Sequence, residues 1–202
     1  MLENPLRAAL AETAARRQSA GLAPGPVWSA LRRLTVAELL RPGAAGRTDL
    51  DGVLSAVCEA ARAAARRRPG WFYAAWDEAP CLAIRANLLT AAICAALRGV
   101  LALPGARGVL RAETRPGGVL LWFQGGAPAP ETQALWARLA QEGGGTAVFG
   151  AGAVFTAAVR LPGLTGCAPA AAPAAAPAAA LLLDRYSVLY QFLGPWAAAP
   201  DG

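Results

Sequence analysis

The stretch from Asn87 to Glu131 reads NLLTAAICAALRGVLALPGARGVLRAETRPGGVLLWFQGGAPAPE, and its punctuation decides the fold. Leu88, Leu89, Ala92, Ile93, Ala96, Leu97 and Val100 give a wide apolar helical face, which Pro104-Gly105 ends. Residues 109–113 and 119–123 are strand-like runs on either side of Arg115-Pro116-Gly117-Gly118, a hairpin signal. A Gly/Pro loop occupies residues 124–130 and a short helix residues 131–141. Next, residues 146–149 and 154–161 form a second hairpin around Gly150-Ala151-Gly152, closed by Pro162-Gly163. The predicted order is helix, hairpin, glycine turn, short helix, hairpin.

On the N-terminal side, residues 2–20 are helical by composition, with Leu6 and Leu10 on one face and Pro5 suited to a first turn. A break at residues 21–26 precedes a second helix marked by Val27, Leu31 and Leu34, which ends near Pro42-Gly43. Two helices joined this way read as an antiparallel hairpin. A lone hairpin buries its stripe poorly, and pairing with a second copy would make a four-helix bundle, so a homodimer is expected. Thr48 and Asp51 have capping-box spacing. Leu50, Val53, Leu54, Val57, Cys58 and Ala61 then follow a third helix, stopped by Pro69-Gly70, and residues 71–76 read as an aromatic strand. Beyond the second hairpin, residues 166–180 are Ala/Pro low complexity. The apolar piece at residues 181–196, with Tyr186, Leu189, Tyr190, Phe192 and Leu193, is expected to dock on the domain, a partner or the dimer mate.

Composition narrows the chemistry. The chain has 202 residues, 55% of them hydrophobic, enough for one medium domain with a real core plus a smaller element. Its formal charge is +6, carried by arginine alone, and it holds no histidine. The arginines are scattered except for Arg66, Arg67 and Arg68, which have no aromatics between them, so no nucleic-acid partner is expected. Ser19, Ser29, Ser55 and Ser187 have neither a histidine nor a lysine to activate them. Asp49 and Asp51 read as helix caps, and Trp122 and Trp136 as core. Cys58, Cys81, Cys94 and Cys167 lack metal-ligand spacing, so no metal is expected. The thiols suit a reducing cytoplasm. No signal peptide is read, and the apolar run at residues 88–103 is too short and broken to span a membrane, so a cytoplasmic location is expected.

Several short motifs, in order, resemble a bacterial sensor histidine kinase: a dimerising helical hairpin followed by a Bergerat-type ATPase domain. Asn4-Pro5-Leu6 looks like the end of the family's H-box, which would put the phospho-acceptor His just before Met1. Thr48-Asp49-Leu50 resembles the start of the first ATPase-domain helix, and Asn87-Leu88-Leu89-Thr90-Ala91-Ala92 resembles the N-box. Its first Asn is Asn87, and Ala91 stands where the family has its magnesium-binding Asn. Gln124-Gly125-Gly126-Ala127-Pro128-Ala129-Pro130-Glu131 resembles the first glycine box, with Gln124 for the adenine-binding Asp, Gly126 for the first Gly and Pro128 for the second. Gly143-Gly144-Gly145 stands where the family has His-Gly-Gly. The family's phosphate lid and second glycine-rich box have no counterpart here.

The resemblance implies an α+β fold: a hairpin (residues 1–45), a two-layer α/β sandwich of the histidine-kinase ATPase type (46–164), an Ala/Pro linker (165–180) and a C-terminal docking segment (181–202). The implied nucleotide pocket is degenerate, at Asn87, Ala91, Gln124 and Gly126. Magnesium wants oxygen ligands and Ala91 offers none. Gln124 accepts more weakly than a carboxylate, and Pro128 removes a backbone donor. Phosphoryl transfer depends on positioning and charge neutralisation, so the expectation is a pseudokinase with no cofactor, ATP and magnesium entering only if the pocket still binds. It would act as a dimeric module for a response regulator or another signalling protein. Two other readings stay open: a kinase or phosphotransferase whose acceptor His was lost to a misassigned start, and a small-ligand sensor using the vacated pocket. Asn87 reads equally as a satisfied helix-face amide.

Overall fold

A computed structural model describes residues 11–12, 15–16, 24–66, 70–77, 80–164 and 178–197. In chain order the elements are α1 (Pro24–Leu40), β1 (Arg47–Asp49), α2 (Leu50–Ala65), β2 (Trp71–Trp76), β3 (Cys81–Ala83), α3 (Ala86–Leu101), β4 (Arg107–Arg115), β5 (Gly118–Gly125), α4 (Pro130–Glu142), β6 (Thr146–Phe149), β7 (Thr156–Pro162), α5 (Ala178–Leu183) and α6 (Val188–Ala197). Of the expected first hairpin helix, Ala11, Glu12, Ala15 and Arg16 are helical; the rest of residues 2–20, and with it the hairpin pairing, lies outside the described residues.

Turn chemistry sets the sheet. Gly117, with φ at 78°, follows Pro116 in the two-residue turn that pairs Arg115 with Gly118. Gly144, with φ at 65°, ends α4, where the Gly145 N–H donates to the Ala140 carbonyl at 2.8 Å and turns the chain into β6. The five strands lie in the order β2-β4-β5-β7-β6, with β2 parallel to β4 and the other pairs antiparallel. Along β5, Val119, Leu121 and Phe123 are buried while Leu120, Trp122 and Gln124 face the other way. Leu110, Ala112, Ala157, Val159 and Leu161 continue the buried face.

Helices α3 and α4 lie on that buried face, and α2 packs beside α3. Trp136 of α4 is fully buried, donates from Nε1 to the Ala92 carbonyl at 2.8 Å, and stacks near Phe123 and Phe155. Helix α3 is buried over most of its surface, with Asn87, Thr90 and Arg98 as its half-buried polar positions. Its outer covering is α6, which also packs against α1 and α2. Val188, Leu189, Phe192 and Leu193 are buried there, and Tyr190 meets Trp28 of α1 edge-on at 5.5 Å. The C-terminal segment therefore docks on its own domain. Helix α5 begins at Ala178, inside the stretch expected as linker, and Ala178 is buried.

Two expectations change, and one small sheet is new. The apolar stripe of α1, at Val27, Leu31, Val36 and Leu39, is already buried within one chain, so it is not an unpaired stripe that needs a second copy. The small sheet of β1 and β3 had no sequence signal, each strand being three residues long. Thr48 is not the cap of α2: it sits in β1, donating its hydroxyl to the Ile84 carbonyl at 2.6 Å, and Asp49 accepts the Asp51 N–H instead. No helix among the described residues is long and apolar enough to cross a membrane.

Candidate functional site

The glycine turn after β5 is the place to look for a ligand, since the motif resemblance put the pocket there. Gly125 and Gly126 have φ of 150° and 69°, a conformation that favours glycine. A Cβ on Gly126 would lie 2.8 Å from the Gly99 carbonyl carbon and 2.9 Å from the Val100 nitrogen. One on Gly125 would lie 2.7 Å from the Arg107 carbonyl oxygen. The glycines are needed because backbone meets backbone, and the turn rests directly on the last turns of α3.

The four expected site positions do not converge. Asn87 lies in the first turn of α3, half-buried, and its amide takes no hydrogen bond among the described residues. Ala91 is fully buried. At a rise of about 1.5 Å per residue, Ala91 sits roughly 12 Å and Asn87 roughly 18 Å along the axis from Gly99, where Gly126 packs. Gln124 is exposed and follows the outward alternation of Leu120 and Trp122, so its side chain stands on the opposite face of the sheet from α3. The inward position at that end of the strand is Gly125. Strand period explains the difference: a one-residue offset reverses the face.

The residues that do gather beside the turn are charged. Glu131, in the first turn of α4, lies 3.9 Å from Arg32 Nε of α1. Arg98, next to Gly99, feels both. Burial lowers the Arg32 pKa, with Glu131 opposing and Arg33 adding. Burial also lowers that of Arg98, with Arg32 adding and Glu131 opposing. Both remain cations, as arginines do. Arg32 was missed because nothing near it in sequence points at the turn; Arg98 was visible only as a break in an apolar run.

A second tie lies at the other end of α4. Arg85 donates to Glu142 from Nε at 2.9 and 3.1 Å, and its Nη2 lies 2.7 Å from Oε2. The same Nη2 donates to the Leu39 and Arg41 carbonyls at 2.8 and 3.0 Å, capping the C-terminal end of α1. Helix α1 is thus tied from its middle, through Arg32, to the N-terminal end of α4, and from its C-terminal end, through Arg85, to the C-terminal end of α4.

This arrangement does not fit a metal-bridged triphosphate. Ala91 has no oxygen and no access to solvent. Among the described residues no three Cys, Asp or Glu side chains cluster as ligands. The chain runs from Gly126 to the start of α4 at Pro130 with no room for a lid.

Solved structures that this chain is similar to include histidine kinases. Full-length ShkA, solved in complex with AMPPNP, is similar at 18% identity and a TM-score of 0.49, over 71% of this chain and 37% of that one. AdeS from Acinetobacter baumannii is similar at 12% identity and a TM-score of 0.46, over 80% of this chain and 96% of that one. A histidine kinase from Burkholderia phymatum STM815 is similar at 17% identity and a TM-score of 0.46, over 80% and 86%. All three TM-scores lie below 0.5, and the chain spans little more than a third of ShkA. No protein-family model matches the sequence, and no curated protein matches it significantly.

Proposed function

We propose that this chain is a histidine-kinase-like module of two-component signalling that has given up ATP-dependent phosphorylation and acts in the cytoplasm by binding another protein. The carrying observation is the packing of the Gly126 turn on Gly99 and Val100. A nucleotide held between turn and helix would need that space. The outer side of α3 is covered as well, by α6.

A surface open to a protein partner is the outer side of α1. Arg33, Leu34, Ala37 and Arg41 are exposed there at helical spacing, an apolar centre flanked by two arginines. An acidic, apolar-centred face of a response regulator is the partner this reading names. A homodimer through residues 1–45 belongs to the same proposal.

Isothermal calorimetry with ATP and magnesium, and with ADP, tests the loss of catalysis; no heat of binding is expected. Saturable, magnesium-dependent binding would overturn the reading. Capture of response regulators by the chain, weakened in Leu34→Glu, is the expected partner result, and a monomer by light scattering at micromolar concentration removes the dimer.

A further inference from the structure

The face of the sheet turned away from the helices collects residues that are far apart in sequence. Strand register places Trp71 beside Arg107, and Tyr73 beside Val109 and then Gln124. The next row runs Ala75, Arg111, Trp122, Ala158, Val148. Beyond it come Glu113, Leu120, Arg160 and Thr146. Trp71 and Tyr73 are 50% and 52% exposed. Arg107 lies over the Trp71 ring at 5.4 Å.

The charge is mostly positive. Arg107, Arg111, Arg115 and Arg160 face outward or edge this surface, against Glu113, which Arg115 already pairs, and Asp77 just past the end of β2. Arg111 and Arg160 are exposed and have no ion pair among the described residues. Along the sequence the arginines are scattered, and Trp122 reads as core. The register gathers the arginines, and the alternation of β5 turns Trp122 outward.

We propose that this open sheet face binds single-stranded nucleic acid. Unstacked bases need flat aromatic partners and their phosphates need unpaired cations, and this surface supplies both, with Gln124 able to donate to and accept from base edges. The strip from β2 to β6 is about 19 Å wide at about 4.8 Å per strand gap, room for a short single-stranded segment. An acidic peptide would satisfy the arginines and leave the rings of Trp71 and Tyr73 without a flat partner.

The test is fluorescence anisotropy of labelled oligothymidine and oligouridine titrated with the full chain, read together with tryptophan quenching. Saturable binding with quenching is expected. Log affinity should fall with log salt at a slope of about −2, from about 0.7 per phosphate for three arginines. Trp71→Ala should raise Kd about tenfold while Trp71→Phe keeps most of the affinity. Arg111→Glu and Arg160→Glu, each on an exposed side chain and checked for fold by circular dichroism, should each weaken binding in low salt. No binding in low salt, Trp71→Ala binding like the parent, or polyglutamate competing as well as the oligonucleotide would overturn the proposal. The last result would assign the face to an acidic protein instead.

Discussion

Replacing Arg85 by alanine should destabilise the whole domain, because it cuts a tie joining three helices. Lost are the charged bonds to Glu142 and the two bonds to the Leu39 and Arg41 carbonyls. The Glu142 side chain is 3% exposed, so water cannot replace the guanidinium. Glu142 would keep the backbone N–H of residue 85, now 2.8 Å away, and Arg138 at 3.6 Å. Removing one partner of a buried pair costs about 3–5 kcal/mol. Arg85 is 19% exposed and Arg138 remains, so the low end, about 3 kcal/mol, is expected. That is a large part of the roughly 5–15 kcal/mol of a typical domain. Urea unfolding followed by circular dichroism should show the midpoint falling by about 1–2 M, at a slope of about 2 kcal/mol per M. Arg85→Lys should recover little, since an ammonium cannot make the forked contact. The double replacement Arg85→Met with Glu142→Leu should recover only part of the loss, since it leaves Arg138, 13% exposed, without Glu142 and the residue 85 N–H without its acceptor. A loss below about 1 kcal/mol for Arg85→Ala, the size of an exposed pair, would refute the reasoning.

Gly126→Ala forces a side chain into the left-handed region and against the Gly99–Val100 backbone; melting should show a loss of about 1–3 kcal/mol, and an unchanged melting point would mean the turn is not packed there. Burial pushes the Cys58 thiol up to about 11 from 9.0, and burial with the neighbouring Cys58 pushes Cys94 up as well. The unfolded chain therefore releases these protons first as pH rises, so stability should fall from pH 9 upward. At pH 8 Ellman's reagent should react with Cys58 and Cys94 only after urea is added, and rapid reaction in the folded state would contradict their burial.

Much of the element order was legible because its signals are local. The Pro116-Gly117 turn, the Gly143–Gly145 helix stop and the apolar run of α3 each depend on a few adjacent residues and are found where expected. The candidate site was less legible. Asn87, Ala91, Gln124 and Gly126 share a motif order but not a place, since helix rise separates the first two from Gly126 and strand alternation turns Gln124 away.

Periodicity and turn chemistry, carried by neighbours a few residues apart, settle where helices and strands begin and end and which of their faces are apolar. What each face meets depends on partners tens of residues away: α6 closing over α3, Arg85 reaching Glu142 and Leu39, arginines of β4 and β7 assembled on one sheet face. Those pairings are chosen by the packing free energy of the whole chain, to which no short segment holds the key.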